Sequence, residues 1–151
     1  MITKKKSLTL IPLLLLTVWY SIIFWDPVSF TVGDPPQLMS IYGLLMVLLI
    51  ISIAGKIITW KYTDHFTALY LTAWAILQWQ AHWGAFFLGA SFTKIDGYNS
   101  YFSGTYRFSQ ASGDQLIPDL YHTVLAILIV ITLIVTFYNV FKIIIGNLRN
   151  R

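Results

Sequence analysis

Cysteine is absent from the 151 residues, which excludes disulfides, thiolate metal sites and thiol nucleophiles together. Glutamate is absent as well, so all 6 acidic residues are aspartates. Charge of either sign is scarce: 11% of the chain is charged and 57% is hydrophobic, where soluble domains carry about 25% charged residues. A soluble fold of this length could not hide so much apolar surface, whereas lipid as the solvent makes the composition sensible. Internal repeats, low-complexity linkers and the Walker-type or Rossmann glycine patterns are missing too. So is any N-x-Ser/Thr acceptor in the outer segments, which would have hinted at a glycosylated secretory-pathway protein. The net charge of +4 is weak evidence for a nucleic-acid partner, because the cations flank apolar runs.

Those runs are four. The first, about 8–25, follows Lys4, Lys5 and Lys6. It lacks a small-x-small cleavage site and ends in Phe24-Trp25-Asp26-Pro27, so it reads as an uncleaved helix rather than a signal peptide. The second, about 35–60, opens on Asp34-Pro35-Pro36-Gln37: an N-cap, a proline suited to the first helical position and a capping-box partner. The third is about 64–90 and the fourth about 118–142, opened by Pro118 and Asp119. Spanning the hydrocarbon takes roughly 20 residues. With the N-terminus inside, Lys4, Lys5, Lys6, Lys56, Lys61, Lys142, Arg149 and Arg151 are cytoplasmic, and only Lys94 and Arg107 lie outside, a strong positive-inside bias. Trp19, Trp25, Trp60, Tyr62, Trp79, Trp83 and Tyr121 fall near span ends, where aromatic belts form. The expectation is an all-α integral membrane protein of the plasma membrane with both termini cytoplasmic. The whole chain, 1–151, is then one domain: an antiparallel bundle of four transmembrane helices with a long ordered outer loop, about 91–117, between the third and fourth.

Loops of that length are usually functional or disordered, and disordered segments are poor in aromatics. Here Tyr98, Tyr101, Phe102 and Tyr106 stand at helical spacing, which predicts a short helix lying in the outer interface. The rival local reading is a hairpin in which Tyr106 and Phe108 alternate. The loop could cap a cavity, dock a partner, or simply anchor the molecule in the headgroups.

Polar groups inside spans are costly and therefore the first place to look for chemistry. Gln78 and His82 are four residues apart on the third span, and Asp119 and His122 three apart on the fourth, so each pair shares a helix face. Trp74 lies one turn further along the Gln78 face, and Gln80 points elsewhere. Thr132, Thr136 and Asn139 extend the fourth span's stripe toward the cytoplasm. At 1.5 Å per residue, His82 sits roughly 12 Å and His122 roughly 6 Å below the outer boundary, so His82, Asp119 and His122 could converge. As a metal set they would suit Zn, Cu or Fe. As axial ligands, the two histidines would suit b-type haem, although the small residues a haem ring needs are not evident. With Gln78, the same groups could relay protons to a quinone or lipid headgroup. Each also has an ordinary structural role: an interhelical hydrogen bond for each histidine and for Gln78, and the positive end of a helix dipole for Asp119. His65, beside Asp64, reads as a solvated cap residue.

Three functions compete. The leading one is a non-enzymatic accessory or interaction subunit, held in the lipid bilayer and bound to a membrane-protein partner or to copies of itself, without nucleic acid. The second is a metal- or haem-binding redox protein or enzyme using Gln78, His82, Asp119 and His122. The third is a small transporter or channel. A hydrolase is disfavoured, because Ser91, Ser100, Ser103, Ser109 and Ser112 offer no recognisable nucleophile elbow.

Overall fold

A computed structural model describes residues 7–25, 39–109 and 114–149. The chain is all-helical there. Helix α1 is Ser7–Ser21, extended by a 3-10 turn over Ile22–Phe24; α2 is Ile41–Ile57. Helix α3, Thr63–Gln78, runs into a π-helical turn at Trp79–Trp83 and on into α4, Gly84–Leu88. A short α5, Phe92–Tyr101, precedes the 30-residue α6, Leu120–Arg149. No strand forms among the described residues, where the extended pairing is an isolated antiparallel bridge between Arg107 and Asp119. The helix start at Asp34-Pro35-Pro36-Gln37, the N-terminal lysines, Asp26, Ser112 and Arg151 lie outside the described residues.

Each long helix buries one stripe at helical spacing. On α1 it is Thr9, Leu13, Leu16 and Tyr20; on α2, Leu45, Leu49, Ser52 and Gly55. Thr63, Thr67, Leu71 and Trp74 form it on α3, and Tyr121, Leu125, Ile129, Thr132 and Thr136 on α6. These steps of three and four residues keep side chains on one face of a 3.6-residue helix. The stripes meet in cyclic order: α1 packs on α2 and α6, and α3 packs on α2 and α6. Tyr20 and Trp74 cross edge to face at the centre, with ring centroids 4.7 Å apart. The Tyr20 hydroxyl donates to the Tyr42 carbonyl, and the indole N–H of the neighbouring Trp19 donates to the Tyr121 carbonyl.

Among the described residues, only α6 is by itself both long and apolar enough to cross a membrane; the apolar helices over 9–24 and 41–57 are shorter. It begins at the predicted place and continues past Lys142 to Arg149. Along it, the Thr132 and Thr136 hydroxyls bond back to carbonyls one turn earlier, and Asn139 donates to Thr9 of α1. The expected polar stripe is therefore taken up within α6 itself at Thr132 and Thr136, and joins two helices at Asn139.

The segment after α4 is ordered by a small core of its own. Ile95 of α5 and Leu116 are buried against Ala85, with Ala90 and Tyr98 beside them. Helix α5 takes in Tyr98 and Tyr101 of the expected helix, while Phe102 and Tyr106 lie beyond its end; Tyr98 and Phe102 turn inward, and Tyr101 and Tyr106 stay exposed.

Candidate functional site

The site lies where the π turn of the α3–α4 rod meets the first turn of α6. Asp119 precedes α6 and is fully buried. One carboxylate oxygen accepts the His122 backbone N–H at 2.9 Å, the capping geometry that satisfies a free donor at a helix start. The other accepts from the His122 ring at Nδ1, 2.7 Å away. An ionised carboxylate only accepts, so that bond places a proton on Nδ1. Spacing of three residues makes both bonds possible from one carboxylate.

His82 comes from the π turn. In such a turn an N–H bonds to the carbonyl five residues back, here Gly84 N–H to Trp79, and one extra residue enters the helix circuit. A regular helix would stack His82 over Gln78. With the extra residue, Trp83 takes that place, and Gln78 and Trp83 face one groove together. His82 turns off that groove, 92% buried, and stacks on His122 with ring centroids 4.0 Å apart and planes 30° from parallel.

A lid closes over the pair. Tyr98 of α5 puts its hydroxyl 2.9 Å from His82 Nδ1, and Phe102 meets both imidazoles edge to face. The lid is pinned at its far end, where Arg107 holds Asn99 through its side-chain and backbone oxygens. The Leu120 N–H donates to the Tyr106 carbonyl at 2.7 Å. Burial, and after it the Asp119 carboxylate, push the Tyr98 phenol above its ordinary value; Arg107 acts the other way.

His82, Asp119 and His122 thus meet, and Gln78 does not join them. Among the described residues no group of three or more such side chains has the arrangement to hold a metal ion. The reason is visible in the geometry. Stacked imidazoles direct their in-plane lone pairs side by side instead of toward one point, while both Nδ1 atoms and the carboxylate already have partners. A haem needs its axial imidazoles on opposite faces of the porphyrin, and these two rings contact each other. The residues therefore do not fit either group. What the arrangement does is join three segments, α3–α4, α5 and α6, through one hydrogen-bonded aromatic cluster.

Sequence spacing identified Asp119, His122 and His82. It missed Tyr98 as the partner of His82, although the Tyr98–Phe102 spacing marked an aromatic helix face. His65 is solvated as expected but is not a cap: α3 has Tyr62 at its N-cap position without a side-chain cap, and the neighbouring Asp64 pairs with Lys56. Comparison with protein-family models, with curated proteins and with solved structures finds no match.

Proposed function

We propose that the chain is a four-span plasma-membrane protein, N-terminus and C-terminus inside, that works as a non-enzymatic interaction subunit. The observation that carries this reading is the division between its outside and its inside. Large apolar side chains are exposed along every long helix, among them Ile11, Leu15 and Val18, Leu44 and Val47, Leu69 and Ile76, and Ile127 and Ile134. Contiguous exposed apolar surface of this kind marks a membrane or partner contact. The only convergent set of ionisable groups described above lies under the chain's own lid, with both Nδ1 atoms and the carboxylate engaged. A catalytic site keeps a position open for substrate; this cluster holds the outer segment in place.

The unbroken helical rod from Thr63 to Leu88 supports a third span. The apolar helices α1 and α2, at 15 and 17 residues, support two more, close to the shortest lengths that span. The test is extraction and size. The protein should resist alkaline carbonate and, in mild detergent, form particles larger than one 17.3 kDa chain. Release by carbonate would sink the membrane reading, and a monomer in detergent and in cross-linked membranes would sink the interaction reading. Metal analysis and a visible spectrum, compared with His82→Ala and His122→Ala, should show no stoichiometric metal and no haem band. A metal or haem lost in both variants would replace this reading with the cofactor one.

A further inference from the structure

The exposed stripe that runs from α3 into the π turn carries a polar group, Gln80, that lipid could not satisfy. Leu69, Ala73, Ile76 and Gln80 are all exposed, with Leu69 75% and Ile76 53% accessible. Leu69, Ala73 and Ile76 are separated by four and three residues, the seam spacing of paired helices, and Gln80, in the π turn, follows at the end of the same exposed stripe. Gln80 makes no hydrogen bond to any described residue. In water an exposed glutamine asks for nothing. On the proposed third span it stands about eight residues, roughly 12 Å, below the outer end of the helix rod, where hydrocarbon offers neither donor nor acceptor.

We infer that this stripe is the contact between two copies of the chain, joined by reciprocal hydrogen bonds between their Gln80 side chains. The inference rests on the membrane-spanning reading above and names the partner in it. A primary amide carries both an acceptor oxygen and two donor hydrogens, so Gln80 is complementary to itself. A two-fold axis along the membrane normal puts each residue opposite its own copy at the same depth, which brings the two amides together without any further coincidence. A different partner would have to supply its own polar group at that depth. Ala73, one heptad before Gln80, is small enough to let the two backbones approach. A single polar residue in an apolar seam is also the device that fixes register and copy number in paired helices.

The absence of cysteine makes the test clean. In full-length protein in native membranes, Ala73→Cys should form a disulfide-linked dimer on mild oxidation, and Ala75→Cys, which faces α6 across a groove, should not. Adding Gln80→Leu to Ala73→Cys should lower the dimer yield. In detergent, Gln80→Leu should weaken self-association by roughly fivefold to thirtyfold, and Gln80→Asn should retain most of it. A carbonate-resistant protein without the residue-73 disulfide would overturn the seam and leave the membrane reading standing. Equal dimer yield with and without Gln80→Leu would overturn the role of Gln80. Carbonate release of the unaltered protein would remove the membrane reading and the seam with it.

Discussion

Asp119 is bound to His122 twice, through the backbone N–H and through the ring, and the two bonds separate under mutation. Asp119→Asn keeps an oxygen able to cap the helix but weakens the charge-assisted ring bond. Asp119→Ala removes both and leaves a buried ring nitrogen without a partner. The loss of a cap costs about 1 kcal/mol and an unsatisfied buried polar group about 1–3 kcal/mol. Thermal unfolding in detergent should therefore rank wild type above Asp119→Asn above Asp119→Ala; equal midpoints for the two variants would mean that the cap contributes nothing. The Asp-x-x-His spacing was legible in the sequence because both partners sit within one helical turn. Tyr98 was not, since its bond to His82 depends on how a distant short helix folds back. Its phenol supplies a second prediction at this scale. Because burial raises it, the unfolded chain loses this proton first, near the ordinary value of about 10. The stability contributed by Tyr98 is then complete below about pH 10 and is lost as pH rises beyond that. In the phenolate absorbance difference between wild type and Tyr98→Phe, the missing tyrosine should ionise above pH 10, and ionisation at or below the ordinary value would contradict its burial.

Among the elements, the connection between α2 and α3 is the most tightly built. Thr59 adopts φ 60°, a left-handed conformation unfavourable for a β-branched residue. Gly55 packs so closely that a Cβ there would meet the Thr63 Oγ1 at 2.6 Å and its Cγ2 at 3.1 Å. Lys56 and Asp64 pair across the same turn. Thr59→Gly should raise the unfolding midpoint, by relief of about 1–2 kcal/mol, offset in part by greater freedom of the unfolded chain. Gly55→Ala should lower stability by about 1–3 kcal/mol through overpacking. Thermal scans of the two variants check both signs, and a stabilised Gly55→Ala would show that the turn has room to shift. The described helices overlie the apolar runs: α1 with its 3-10 turn, the rod formed by α3, the π turn and α4, and the start of α6 lie within a few residues of them, whereas α6 continues past Lys142 to Arg149. The π turn at Trp79–Trp83 was invisible to run length. Its residues read as ordinary helix, and i→i+5 bonding is set by tertiary packing. That single extra residue is why Gln78 and His82, placed on one face by regular helical spacing, end on different ones.

At the scale of the whole molecule, the remaining question is direction, and it rests on charge. Eight of the 10 lysines and arginines lie on the side proposed as cytoplasmic, the bias that fixes orientation when loops are short. The lid that seals the histidines then faces outward, which the fold makes testable without disturbing it. A Cβ added at Gly104, just beyond α5, meets nothing within 4 Å, and the same holds for Gly146 near the end of α6. A cysteine at either position is tolerated, and neither competes with a native thiol. In intact cells, a membrane-impermeant maleimide should label Gly104→Cys and leave Gly146→Cys unlabelled until the membrane is opened. The reverse pattern would invert the molecule and place the lid in the cytoplasm. Labelling of both in intact cells would mean that α6 does not carry the chain across the membrane between residues 104 and 146. The experiment also bears on the cluster itself. If the lid faces outward, Tyr98→Phe should increase external trypsin cleavage at Arg107 in sealed cells, because the bond it removes is one that ties α5 to His82.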